Sequence, residues 1–152
     1  MIVRPADIEK DQAAILEGAW DFASRLDHAE FLPARSDAFE AGVMRVIGLD
    51  CVEVTVAEHD GAIVGGLGVA YTPYLWNPVL THADELFWWT AATAPTTTAL
   101  RLIRTVLDRA RKKAPGQVIG TFKMLTSSPP KIAGVYERLG LRKTETAFMG
   151  VI

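Results

Sequence analysis

The sequence predicts a single mixed α/β domain whose strands and helices follow the order βααβββαβαβ. Three observations carry this prediction. Apolar residues recur at helical intervals in several segments, apolar and polar residues alternate through a run that ends at an Asp-Gly pair, and the two periods replace each other along the chain. The chain has 152 residues, enough to bury about 70% of its unfolded surface. One domain spanning residues 1–152 is therefore expected.

The first half is predicted to contain a strand, two helices and a hairpin. Residues 2–5 form a short strand, and apolar side chains recur with helical spacing over residues 11–26. Ser36 is a suitable N-cap for a second helix, which Gly48 ends. The Asp60-Gly61 pair between β-rich runs predicts a hairpin. Three glycines shortly after that turn indicate a bend or a close approach of the backbone.

The second half is predicted to begin with a loop over residues 71–81, because this segment contains two prolines. A largely buried strand follows at residues 84–90. Pro95 marks the place where a third helix begins, since proline is tolerated in the first turn. The remaining predicted elements are a strand at 117–124, a short helix at 130–139 and a last strand at 141–151.

Composition and charge narrow the classes of function. The chain is 49% apolar and 22% charged, which is typical of a folded globular protein. Its net charge of -2 argues against nucleic acid as an obligatory partner. Cys51 is the only cysteine and the histidines lack ligand spacing, so neither a disulfide nor a metal site is expected. With no signal peptide or long apolar run, a cytoplasmic location without membrane contact is expected.

The last third of the chain carries a family resemblance. Tyr136 stands near a helix end, and Gly140 is suited to stop that helix in a left-handed conformation. The chain resembles the GNAT N-acetyltransferases over essentially its full length. The resemblance rests on this segment, the hairpin of residues 58–65 and the strand of residues 85–89. The paired tryptophans after Glu-Leu-Phe are also similar to a subgroup of GNAT-like proteins found in phages and prophages.

The resemblance implies a GNAT-like acyl-CoA N-acyltransferase fold and an activity. That activity is transfer of an acetyl group from acetyl-CoA to an amine of a small molecule or protein, directly within a ternary complex. Dimers are frequent in the family, so a homodimer is a further expectation. Two alternatives stay open: a non-catalytic GNAT-like binding or structural module, and a relative that modifies DNA or another macromolecule.

The resemblance also implies two catalytic residues. Glu85 matches the position on the fourth strand where many members place the base that takes a proton from the amine. Its neighbour Asp84 should face the opposite side of the sheet, so only one of the two can face the cleft. Tyr136 matches the tyrosine that faces the sulfur of coenzyme A and can protonate the leaving thiolate. Otherwise, Glu85 is a solvated or ion-paired residue and Tyr136 packs its ring on the core.

The loop after the fourth strand departs from the family pattern. GNAT enzymes usually carry Arg/Gln-x-x-Gly-x-Gly/Ala there, because glycines let backbone amides close around the pyrophosphate. Residues 90–99 contain neither a glycine nor a basic residue, and Pro95 lacks an amide donor.

Two interpretations of this loop compete. In the first, Pro95 and the amides and hydroxyls of Thr96, Thr97 and Thr98 form a replacement cradle at the helix start. Backbone groups of Trp89 and Thr90 then hold the pantetheine arm, as the same strand edge does in the family. In the second, these threonines only cap the helix, and the site no longer holds coenzyme A well.

Overall fold

The computed structural model describes residues 1–26, 35–113, 118–122 and 131–143, and its centre is a five-stranded sheet in the order β1-β2-β3-β4-β5. The strands are β1 (Ile2–Pro5), β2 (Val52–His59), β3 (Ala62–Tyr74), β4 (Asn77–Thr90) and β5 (Val118–Thr121). The helices are α1 (Ile8–Ser24), α2 (Asp37–Ile47), α3 (Thr98–Lys113) and α4 (Lys131–Arg138). The predicted mixed α/β order is thus confirmed through α4. The predicted last strand, residues 141–151, falls mainly on residues 144–151, which lie outside the described residues.

The sheet is mixed because its last connection differs from the others. Strands β1 to β4 are antiparallel neighbours, whereas β5 pairs with β4 in parallel. A parallel pair needs a crossover connection, and α3 supplies it here. The β2–β3 turn has positive φ at both Asp60 (51°) and Gly61 (79°), as a tight hairpin with right-handed twist requires. The predicted hairpin is confirmed.

Local capping sets the ends of the first two helices. The side chain of Asp7 accepts a hydrogen bond from the amide of Lys10, so α1 begins earlier than the apolar spacing predicted. The hydroxyl of Ser36 accepts one from the amide of Phe39 at 3.4 Å, and Gly48 is the C-cap of α2. The predicted start and end of α2 are confirmed. None of the helices in the described ranges is long and apolar enough to cross a membrane.

The two faces of the sheet carry separate apolar clusters. Helices α1 and α2 cover one face, where the cluster consists of Ile15, Phe22, Ile47, Val54, Val56, Phe87 and Trp89. Helices α3 and α4 cover the other face, where the cluster consists of Ala57, Val64, Leu67, Val69, Ala83, Leu102, Ile103, Val106, Leu107 and Tyr136. These faces are called the α1 face and the α3 face below.

Large rings on the α1 face need glycine beneath them. A methyl group at Gly18 on α1 or at Gly66 on β3 would overlap the indole of Trp89, and one at Gly68 would come within 2.8 Å of the Phe87 ring. The close approach predicted from the glycines of β3 is therefore confirmed. Because only hydrogen fits at these positions, the Trp89 ring is held between α1 and the sheet.

The loop predicted for residues 71–81 is wrong, because this segment continues both strands. The β3–β4 pairing runs out to Tyr74 opposite Asn77 and leaves only Leu75 and Trp76 in the turn. The register of β2 ends at Ala70, so the outer part of the hairpin lies beyond that strand. Within the described residues, the outer edges of this segment have no ladder partner. Proline is tolerated at such edges, which explains why two prolines did not prevent strand formation.

Candidate active site

A β-bulge in β4 sets the position of the predicted base. Gly68 pairs with Phe87 and Val69 pairs with Glu85, so Leu86 is an extra residue without a counterpart on β3. Residues that stand opposite each other share a face, and Val69 belongs to the α3 face while Phe87 belongs to the α1 face. Glu85 therefore lies on the α3 face, although it is only two positions from Phe87. In a regular strand, both would face the same side.

Glu85 and Tyr136 come together on the α3 face. The Glu85 side chain is 1% exposed and Tyr136 is 8% exposed within the cluster of that face. Burial raises the pKa of the Tyr136 hydroxyl, and the nearby carboxylate of Glu85 raises it further. The hydroxyl is protonated at neutral pH, as that of an ordinary tyrosine is. The structure thus places the two predicted catalytic residues on the same face of the sheet, with the carboxylate near the hydroxyl.

The end of α4 fixes the Tyr136 backbone. Gly140 has φ of 86°. The amide of Leu141 donates to the carbonyl of Tyr136 at 3.0 Å, and the amide of Gly140 donates to the carbonyl of Glu137 at 2.9 Å. This pair of bonds is a Schellman motif, so the predicted left-handed stop at Gly140 is confirmed. The ring of Phe122, directly after β5, lies 6.1 Å from the Tyr136 ring. Tyr136 is therefore held at the end of β5.

The described pairing of strands β4 and β5 ends next to this pair. Their parallel register runs from Thr81 opposite Val118 to Asp84 opposite Thr121, where β5 ends. β4 continues to Thr90, so within the described ranges its outer edge beyond Asp84 has no strand partner. Such an edge offers backbone groups to which an extended ligand can add like another strand. We call this edge and the space beside it the cleft.

The direction of the β4 backbone shows which groups face the cleft. The amide of Ala91 donates to the carbonyl of Val64 on β3 at 2.9 Å. Backbone groups alternate along an antiparallel strand, so those of Trp89 also point to β3, and those of Trp88 and Thr90 point to the cleft. The Trp89 side chain is buried on the α1 face. Sequence reasoning missed Trp88, because only the register reveals the direction of its backbone.

The turn between β4 and α3 forms the far end of the cleft. Helix α3 starts at Thr98 rather than at Pro95, which corrects the predicted helix start. Thr98 is fully buried, and its hydroxyl donates to the carbonyl of Pro95 at 2.7 Å. Thr96 and Thr97 are exposed. The carbonyl of Thr97 accepts from the amide of Arg101 at 3.0 Å, so Thr97 precedes the first helical turn and its amides.

Two arginines lie near this turn, shortly after the loop residues that were compared with the GNAT pattern. Arg101 and Arg104 are exposed on the first turns of α3, and that first turn contains no acidic residue. The Arg101 guanidinium donates to the carbonyl of Met1 at 3.3 Å, which holds it at the start of the helix. Positive charge and a helix N-terminus together favour an anion at this end of the cleft. The sequence feature that could have indicated this anion site is Arg101, which follows the residues compared with the family pattern.

Other polar groups among the described residues join elements of the fold. No group of three or more His, Cys, Asp or Glu side chains there is arranged to hold a metal ion. Arg4 makes ion pairs with the buried Asp11 at 2.7 Å and with Glu58 at 3.0 Å, which joins β1, α1 and β2. His82 Nε2 lies 2.7 Å from the hydroxyl of Thr121 and thus bridges β4 and β5 near the end of their described pairing.

Comparisons with known proteins define the fold. No model of a known protein family matches the sequence, and no curated protein matches it. Among solved structures, the chain is similar to a possible acetyltransferase from Clostridium difficile 630, with TM-score 0.74, 12% identity, and 99% and 96% of the two chains covered. It is similar to a transcriptional regulator from Bacillus halodurans C-125, with TM-score 0.73, 18% identity, and 99% of each chain covered.

A third solved structure is an aminoglycoside acetyltransferase from an uncultured soil metagenomic sample. It has TM-score 0.68, 16% identity, and 99% of this chain and 97% of that chain covered. At such identities the likeness establishes the fold and leaves the chemistry to the site. The predicted GNAT-like fold is confirmed: a mixed sheet that is flanked by helices on both faces.

Proposed function

We propose that this protein is an N-acetyltransferase that uses acetyl-CoA and an amine acceptor. One observation carries the proposal: Glu85 and Tyr136 are buried on the same face, at the point where the described pairing of β4 and β5 ends. A carboxylate and a protonated hydroxyl beside an open strand edge are the groups that acyl transfer from a thioester to an amine requires. The acetyltransferases among the similar structures support this assignment.

Each residue of the pair has one proton to move. An amine is protonated at neutral pH and has to lose a proton before its nitrogen can attack, and Glu85 accepts that proton. Acetyl-CoA supplies the thioester whose C–S bond breaks as the N–C bond forms. Tyr136 carries a proton at neutral pH, as an ordinary tyrosine does, and can donate it to the departing sulfur. The second proton that the nitrogen loses on becoming an amide then restores the hydroxyl.

In this proposal, acetyl-CoA lies along the cleft. The outward backbone groups of Trp88 and Thr90 can pair with an amide-containing arm, as a β-strand would. The exposed hydroxyls of Thr96 and Thr97, with the amides of the first turn of α3, are placed for a pyrophosphate. Trp89, Pro95 and Thr98 were also predicted to bind the cofactor. In this proposal they contribute indirectly, through the packing of β4 and the structure of the turn before α3.

The direct test is calorimetric titration of the protein with acetyl-CoA, followed by measurement of coenzyme A thiol release. The acceptors are an aminoglycoside, a polyamine and a peptide with a free N-terminus. We expect micromolar binding and thiol release that depends on the amine. Absence of binding up to millimolar acetyl-CoA would contradict the proposal.

Tyr136→Phe tests the proton donor against a matched tyrosine. We expect a decrease in kcat of about tenfold to a hundredfold, with acetyl-CoA affinity little changed, because only the hydroxyl is lost. Tyr71→Phe is the control, since Tyr71 lies on the same face and burial also raises its pKa, while its hydroxyl interacts with Glu53. Equal losses in the two variants would show that Tyr136 has a structural role only.

A second candidate is a non-catalytic binding module with the same fold. The observation that favours it is the turn of residues 91–98, which contains no glycine and uses the hydroxyl of Thr98 internally. One protein with the same fold is a transcriptional regulator, so the fold is compatible with roles other than catalysis. Acetyl-CoA binding without thiol release for any acceptor would favour this candidate.

A further inference from the structure

The cleft begins where the described pairing of β4 and β5 stops, and we call that point its closed end. Asp84 and Thr121 form the last described pair, and Glu85 and Phe122 each follow it by one residue. Glu85 lies on the α3 face, and Phe122 packs against the apolar cluster of the same face. A large apolar ring and the proposed base therefore flank the closed end, the ring directly after β5 and the base on β4.

The Phe122 ring supplies most of the bulk at the closed end. Gly120 pairs with the buried Ala83 on the α3 face, so the strands themselves contribute little volume there. A methyl group at Gly120 would lie 3.1 Å from the Phe122 ring, which shows that this ring lies over β5. On its other side, the ring is 6.1 Å from that of Tyr136 and inclined to it by 46°, which is contact range for aromatic pairs.

We propose that the Phe122 ring limits the acyl chain that this protein transfers to an acetyl group. The inference rests on the proposed function, in which the reacting carbonyl lies within reach of Glu85 and Tyr136. The coenzyme A arm would run along the open edge of β4, and the amine would approach the carbonyl carbon. The acyl chain then extends toward the closed end, where the Phe122 ring stands next to that of Tyr136. Carbons beyond the methyl group of an acetyl would meet this ring.

An apolar wall of this kind selects chain length through packing. The Phe122 ring is held between Gly120 and Tyr136, so it cannot move aside without losing these contacts. Additional methylene groups would overpack the closed end, which is unfavourable. Once the ring is removed, the same groups would be buried from water, and each buried methylene raises affinity by about fourfold. Loss of the ring should therefore change which thioester binds better, whereas a structural defect would weaken the binding of all thioesters alike.

Calorimetry of the full chain with acetyl-CoA and with butyryl-CoA tests the proposal without any acceptor. We expect the wild type to bind acetyl-CoA at least about tenfold more tightly than butyryl-CoA. Phe122→Val should bind butyryl-CoA at least as tightly as acetyl-CoA, and the more conservative Phe122→Leu should give a ratio between these two. Circular dichroism establishes that each variant is folded.

Val3→Ala is the matched control. Val3 is also partly buried against the cluster of the α3 face, but it lies on β1, at the opposite edge of the described sheet. It should keep the wild-type ratio of the two affinities. With an amine acceptor present, thiol release should follow binding, and kcat/KM for butyryl-CoA relative to acetyl-CoA should rise by at least about tenfold in Phe122→Val alone.

The possible failures are distinguishable. If the wild type binds neither thioester, the proposed function fails and this inference fails with it. If the wild type binds acetyl-CoA but binds butyryl-CoA equally well, the proposed function stands and the limit on chain length is wrong. Folded Phe122→Val and Phe122→Leu variants that keep the wild-type ratio, or a Val3→Ala variant that changes it as much, would also overturn the role of Phe122.

Discussion

The two ends of the cleft are built in different ways. At the end proposed for catalysis, called the catalytic end below, Glu85 and Tyr136 are buried side chains whose positions depend on a bulge in β4 and a Schellman motif after α4. At the end proposed for the pyrophosphate, called the phosphate end below, Thr96 and Thr97 are exposed on the turn before α3. Proton transfer needs specific side chains at fixed positions, whereas an anion can be held by backbone amides of many sequences. This difference is consistent with the proposal that the first end carries residues resembling the GNAT pattern while the second departs from it.

The largest effect is expected from Glu85→Gln. The substitution keeps the size of the side chain but removes its ability to accept a proton, so kcat should fall by about a hundredfold or more, with acetyl-CoA affinity retained. Steady-state thiol release and calorimetry measure the two quantities. Asp84→Asn is the control, because Asp84 is the adjacent position on the opposite face, and it should retain most activity. A larger loss in Asp84→Asn would assign the base to the α1 face.

The framework that supports the catalytic end can be disturbed from the α1 face. In Gly66→Ala the added methyl group on β3 overlaps the Trp89 ring, so the free energy of unfolding should fall by about 1–3 kcal/mol. Gly42→Ala is the matched control, since no described atom lies within 4 Å of the added methyl group in α2. It should raise stability by about 0.5–1 kcal/mol because alanine favours the helix. Urea unfolding distinguishes the two, and equal stability changes would contradict the packing account.

The phosphate end is tested by Thr97→Glu. The new carboxylate would lie at the start of α3, and like charges 4 Å apart repel by about 1 kcal/mol even in bulk water. Acetyl-CoA affinity should therefore decrease by about tenfold in calorimetry at low salt. Lys112→Gln changes the net charge by the same amount at the exposed far end of α3 and should leave the affinity unchanged. If both variants bind like the wild type, the turn does not hold the pyrophosphate.

The smallest effect concerns stability at alkaline pH. Burial holds the pKa of Tyr136 above its ordinary value of 10.0, with a further contribution from Glu85. Below pH 10.0 the folded and unfolded chains both keep this proton, and above it only the unfolded chain releases it. The free energy of unfolding should then fall by up to about 1.4 kcal/mol per pH unit. Thermal unfolding of Tyr136→Phe should show a shallower decline, and an equally steep one would exclude Tyr136 as its source.

Several features were predictable because their causes are local. Ser36, Asp60-Gly61 and Gly140 each act on the backbone within a few residues, and the structure confirms the cap, the turn and the helix end they predicted. The outer part of the β3–β4 hairpin was not predictable in the same way. Prolines in residues 71–81 indicated a loop, but whether proline breaks a strand depends on the presence of a neighbouring strand, which sequence alone does not show.

The sequence by itself determined the elements and their order, and the residue types available for acyl transfer, because capping, turn formation and hydrophobic spacing depend on neighbouring residues. Only the tertiary structure decided which side chains share a face. The bulge at Leu86 places Glu85 on the side of Tyr136 and directs the Trp88 and Thr90 backbones to the cleft. A bulge arises from the register between β3 and β4, and a shift of one residue there reverses every side chain beyond it.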